Sequence, residues 1–223
     1  MRGFVLRFPR RSKTKNKVKI PAPRLKFKEF LSRYGLVAAY TLSFGIGMLM
    51  GAICARGADS TLLESMDLLF STNLEARLSQ PMYMTFVSSF ASNFLFLLFV
   101  FLCGLSLWGV LFVFAAPMFK GFGTGLSAGC LFLNYGLRGV GFYLLVMLCG
   151  LFIFCFVLIL HCTQSHLISF KLFRYVLLEK GYAEGVTVYL RGFLMRSLYM
   201  LLASAVASVV DMLLWTAFAK VFF

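Results

Sequence analysis

Asp211 stands in the middle of a long apolar run, within Ala207-Ser208-Val209-Val210-Asp211-Met212. A charged group at that depth of a bilayer costs about 2.5 to 3.5 kcal/mol on insertion scales, so it must face the protein interior, be paired, or hold a proton. Two chemistries follow. One is a proton or ion pathway, with Asn93 as the second intramembrane polar candidate. The other is a hydrogen bond across helices to Asn93, Ser89, Thr124 or Ser127, which requires no transport. Ala203 and Ala207, like Ser204 and Ser208, stand four apart and allow close helix approach.

Cys162 and His166 share one helix face, with His161 beside them. Two or three such ligands do not complete a tetrahedral set, and no carboxylate lies near in sequence, so no metal site is expected. Cys54, Cys103, Cys130, Cys149, Cys155 and Cys162 lie mostly in apolar runs without CxxC pairing, and read as small packing side chains. Gly125-Leu126-Ser127-Ala128-Gly129 spells Gly-x-Ser-x-Gly, but it lies within an apolar helical run and lacks the strand-turn-helix context that pattern needs, and His-Glu-x-x-His is absent. With two histidines and one central acid, no catalytic residue and no cofactor is expected.

The most distinctive segment is Phe119-Lys120-Gly121-Phe122-Gly123-Thr124-Gly125-Leu126-Ser127-Ala128-Gly129. Gly121, Gly125 and Gly129 recur every fourth residue and line up on one helix face, which makes a close-packing seam between helices. A phosphate loop would need a preceding strand, or Lys after the second Gly of the Walker pattern.

Long apolar helices must position all of these groups. Of 223 residues, 61% are apolar and only 13% charged, and the mean hydropathy is +0.87. A soluble domain is nearer half apolar and a quarter charged, and a disordered chain is less apolar still, so both classes are excluded. The expected fold is all-α, a polytopic membrane helical bundle of about five transmembrane helices with one outer and one cytoplasmic amphipathic helix. Uncharged runs place the spans at 34–55, 86–119, 121–137, 139–160 and 197–219. The 34 residues of 86–119 are either one long tilted helix or a helix broken near Gly104 to Gly109 or at Pro117.

Net charge is +14, and residues 1–33 hold twelve of the basic side chains against Glu29 alone. That segment reads as a cytoplasmic arm, mostly disordered, whose charge sets orientation and meets anionic headgroups. Lys26, Lys28 and Arg33, together with Lys120 at the end of a span, are the expected topology and headgroup residues. Membrane lipids are therefore expected partners. Nucleic acid is not, because no aromatic-interleaved or helix-turn-helix pattern accompanies the charge. Leu62, Leu63, Met66, Leu69, Phe70 and Leu74 fall at helical spacing and predict the outer amphipathic helix over 60–78. Leu172, Phe173, Val176 and Leu177 predict the cytoplasmic one, continuing the fourth span. The N-terminus is then cytoplasmic and the C-terminus external.

The order Ser89-Phe90-x-x-Asn93, Gly104 and Gly109, Phe119-Lys120-Gly121 with Gly125 and Gly129, and Gly136-x-x-Gly139 resembles the stage II sporulation protein M family, most closely over residues 85–160. The resemblance implies a multipass protein of the mother-cell membrane in endospore formers. It implies partners resembling stage II sporulation proteins D and P, which remodel peptidoglycan during engulfment. The implied role is a scaffold or anchor that recruits them and is not itself an enzyme.

Overall fold

A computed structural model describes residues 27–57, 81–178 and 183–222. The expected outer helix over 60–78, the basic residues up to Lys26 and the segment around Gly181 lie outside the described residues. The chain divides into two units, Met1–Arg33 and Tyr34–Phe223. All packing discussed below belongs to the second.

Helix is the only regular structure among the described residues. The helices are α1 (Phe27–Cys54), α2 (Met82–Leu105), the short α3 (Gly109–Phe112), α4 (Ala115–Phe142), α5 (Leu148–Leu178) and α6 (Ala183–Phe222), with a 3-10 turn at Ala55–Gly57 and a π turn at Tyr143–Met147. Among the described residues, four helical runs are long and apolar enough to cross a membrane: Tyr34–Gly57, Met82–Leu105, Gly109–Val176 and Val188–Phe218. In hydrocarbon every backbone amide must be satisfied within its own segment, and continuous helix does this.

The third run contains 68 residues and would reach about 100 Å as one straight helix, far beyond a ~30 Å hydrocarbon core. It folds back on itself. Gly136 takes φ 57° and ψ −135°, a conformation open to glycine and strained for other residues. Beyond it, Tyr143 Oη donates to the Thr124 carbonyl at 3.4 Å, and Gly139 lies against the Leu131 backbone so closely that a Cβ would collide. Residues before and after Gly136 therefore run antiparallel as a hairpin.

Of the alternatives for the run 86–119, the break near Gly104 to Gly109 is the one the structure takes: Ser106 leaves the helix (φ −88°, ψ 144°) and Gly109 packs against the Cys103 carbonyl. Pro117 does not break the chain. It sits in the first turn of α4, where the amide it lacks has no intrahelical acceptor anyway. Lys120 consequently lies inside α4, not between two spans.

α2, α5 and α6 pack against one another. Their shared core includes Phe96, Leu97, Val100, Phe154, Val157 and Leu158. A second cluster around Phe142, Val146 and Trp215 fills the bundle near the hairpin turn, with Phe142 and Trp215 edge to face at 5.2 Å. α1 lies against α4 along glycines. A Cβ on Gly47 would meet the Met118 carbonyl, and one on Gly51 the Phe122 carbonyl. From the other side, Gly121 faces the Phe44 carbonyl, Gly125 the Met48 carbonyl, and Gly129 the Ala55 side chain. Removing side chains on both helices brings the backbones together and replaces hydrophobic driving force with close van der Waals contact.

Candidate functional site

Three helices each carry polar residues at the spacing of one face: Ser89, Ser92 and Asn93 on α2; Lys120, Thr124 and Ser127 on α4; Ser204, Ser208 and Asp211 on α6. Offsets of three, four and seven residues put each set on one stripe, and packing turns the stripes toward a common axis. Seven of them, Ser89, Ser92, Asn93, Lys120, Thr124, Ser127 and Asp211, line a single cavity of about 70 Å³, along with Tyr143, Gly150 and Phe154. That volume holds roughly two waters at their share of liquid volume.

Lys120 is only 7% exposed. Its Nζ donates to Ser92 Oγ and to Asn93 Oδ1, each at 3.2 Å. The ammonium also sits 5.1 Å from the Phe96 ring centroid and 5.0 Å from that of Phe154, within the range where ring quadrupoles stabilise a cation. The headgroup role expected for Lys120 is thus corrected. A lysine can snorkel to an interface only when its stem has a path there, and here the partners lie inward, on α2 and α5.

Asn93 holds three helices together. Its Oδ1 accepts from Lys120 on α4, and its Nδ2 donates to Ser208 Oγ on α6 at 3.2 Å. Ser208 in turn donates to the Ser204 carbonyl at 3.1 Å. Asp211 accepts from Ser89 Oγ at 3.0 Å. Of the partners the sequence suggested for Asp211, Ser89 bonds it directly; Asn93, Thr124 and Ser127 share its cavity. Gly150 on α5 makes the approach possible, because a Cβ there would stand 2.9 Å from Asp211 Cβ. An ammonium and a carboxylate therefore share one small cavity, and their opposite charges offset part of the cost of leaving water.

The remaining sequence candidates lie elsewhere. Gly121, Gly125 and Gly129 form the α1 seam, on a different face of α4 from the polar stripe. Lys28 and Arg33 fall in the opening turns of α1. His166 is bonded by Tyr40 at 2.9 Å, and among the described residues no group of three metal-capable side chains converges. The Lys120 cluster itself escaped the sequence reading. The signal was present as matching polar stripes on three spans, but no single span reveals which stripes will face each other.

The profile of stage II sporulation protein M matches residues 40–218, a stretch that includes the glycine seam, the polar cavity and the hairpin. The chain belongs to the stage II sporulation protein M family. Neither the curated proteins nor the solved structures contain a match to it. As a member of the stage II sporulation protein M family, the chain is a sporulation-related membrane protein. The family profile spans every helix that contributes a side chain to the polar cavity.

Proposed function

We propose that the chain is a non-enzymatic integral membrane scaffold that recruits peptidoglycan-remodelling partners, resembling stage II sporulation proteins D and P, during engulfment in the mother-cell membrane. The observation that carries this reading is the use of the polar groups: Lys120, Asn93, Ser208, Ser89 and Asp211 are spent on one another across α2, α4 and α6. Such groups fix helix register, as buried polar residues do in other bundles. A rigid bundle suits an anchor for extracytoplasmic enzymes.

The test is co-purification of the two partner proteins and scoring of engulfment in cells carrying Gly125→Leu. A leucine there must displace α1 from α4, since even a Cβ collides with the Met48 backbone. Loss of both recruitment and engulfment supports the scaffold; survival of both sinks it.

A second reading rests on the same cavity. Lys120 and Asp211 beside about 70 Å³ of space also suit a transporter-like subunit that passes protons or ions through a polar pathway. Under that reading Asp211→Asn abolishes proton-coupled flux in reconstituted vesicles, whereas a scaffold gives no flux above empty vesicles in either form.

A further inference from the structure

A second cavity lies between α2, α5 and α6 and owes nothing to the polar cluster. It measures about 210 Å³ and is lined by Phe94, Leu98, Phe101, Leu194, Leu198 and Leu201, with His161 and Ser197 as its polar members. Phe94, Leu98, Leu194 and Leu198 are between 38% and 56% exposed, so in a membrane the opening faces hydrocarbon, not water.

Its polar lining is unfinished. His161 is 1% exposed and stacked on Phe193 with centroids 5.8 Å apart. Its Nδ1 has no partner, and neither does Ser197 Oγ. Such a group carries its full desolvation penalty while it stays unpaired, and acyl chains alone cannot relieve it.

The helix above the cavity carries charge. Arg191, Leu194, Leu198 and Leu201 fall at i, i+3, i+7 and i+10 on α6, so Arg191 continues the cavity's own face toward the start of the helix. The end of α5 beside it is basic too: Lys171 Nζ lies 3.8 Å from the Tyr189 ring centroid, and Arg174 stacks near Phe170. Ser197 is six residues below Arg191, about 9 Å along the axis. His161, level with Phe193, lies between them. Positive charge, then polar atoms, then an apolar slot is the order in which a glycerophospholipid presents phosphate, glycerol region and acyl chain.

We propose that this cavity binds one anionic glycerophospholipid with hydroxyls in its head, its phosphate on Arg191, a head or glycerol-level hydroxyl on His161 Nδ1, an ester carbonyl on the Ser197 hydroxyl, and an acyl chain along Leu194, Leu198 and Leu201. The charge complementarity selects an anionic lipid over a zwitterionic one, and the slot distinguishes a seated lipid from the diffuse attraction of a basic surface.

The full chain in nanodiscs of equal phosphatidylglycerol and phosphatidylcholine, released into native mass spectrometry, supplies the test. Wild type should retain one phosphatidylglycerol per protomer in preference to phosphatidylcholine. Arg191→Gln should weaken that preference about fivefold, the equivalent of one basic contact, and Leu198→Trp should abolish retention by filling the slot. Leu201→Phe serves the same purpose if the tryptophan variant does not give a monodisperse protein. Arg196→Gln, off that face, should match wild type. Equal retention of both lipids, or undiminished phosphatidylglycerol with Arg191→Gln, overturns the anionic assignment; undiminished binding in the slot-filling variants overturns the site.

Discussion

Lys120 Nζ on α4 donates to Asn93 Oδ1 on α2 at 3.2 Å, and the same amide reaches α6 through Ser208. One asparagine thus transmits the position of a buried cation to two other helices. The arrangement makes the polar cluster a unit, and a unit responds to mutation non-additively.

Removing the cation alone strands its acceptors and leaves the carboxylate of the shared cavity without an opposite charge. Lys120→Ala should destabilise the bundle by about 3 kcal/mol, read from unfolding in mixed detergent micelles. Lys120→Met combined with Asp211→Asn should cost at least about 1 kcal/mol less than the sum of the two single changes. Simple additivity would mean that the two residues do not act as a pair.

The glycines divide by what surrounds them. Gly121→Ala and Gly125→Ala each drive a methyl group into backbone of α1, whereas a Cβ added to Gly45 would meet nothing within 4 Å. The first two should lower the melting temperature in detergent. Gly45→Ala should leave it unchanged or raise it, because alanine favours helix by about 1 kcal/mol over glycine. Equal effects at all three positions would remove the seam.

Gly136 is demanding for a different reason. No atom crowds it, yet its φ is 57°, so Gly136→Ala tests backbone strain alone. The expected loss is about 1 to 3 kcal/mol, while Gly192→Ala, equally open and within helix α6, should be neutral. Chemical unfolding of the two variants side by side separates conformation from packing.

Tyr40 joins α1 to α5 through its 2.9 Å hydrogen bond to His166 Nδ1, and its ring lies 4.5 Å from that of Phe114. Tyr40→Phe keeps the ring contact and loses the bond. The expected cost is about 1 kcal/mol, and the loss should disappear in a background of His166→Phe when the double-mutant cycle is closed by unfolding measurements.

Much of the architecture was legible in the sequence because apolar runs of bilayer length have few folded solutions. The all-helical class follows from them, and the four-residue spacing of Gly121, Gly125 and Gly129 marks a face that can approach another backbone. What the spacing does not carry is the partner: Gly47 and Gly51 on α1 complete the seam, and they are far away in sequence. Lys120 shows the same limit more sharply. A lone cation at the end of an uncharged run reads as an interface residue, because in one dimension only its neighbours are visible. Ser92 and Asn93, 28 and 27 residues away, are what hold it inside. The break at Ser106 lies within the Gly104 to Gly109 interval that the glycines marked as one alternative, whereas the close approach of Gly109 to Cys103 becomes visible only when α2 and α3 are both in place.

The scaffold reading is tested most directly by affinity co-purification of the tagged full chain from sporulating cells, comparing wild type with Gly125→Leu at matched membrane levels. Recovery of partners resembling stage II sporulation proteins D and P with wild type, and their loss with the variant, is the expected result. A wild-type chain that brings down neither partner would contradict it.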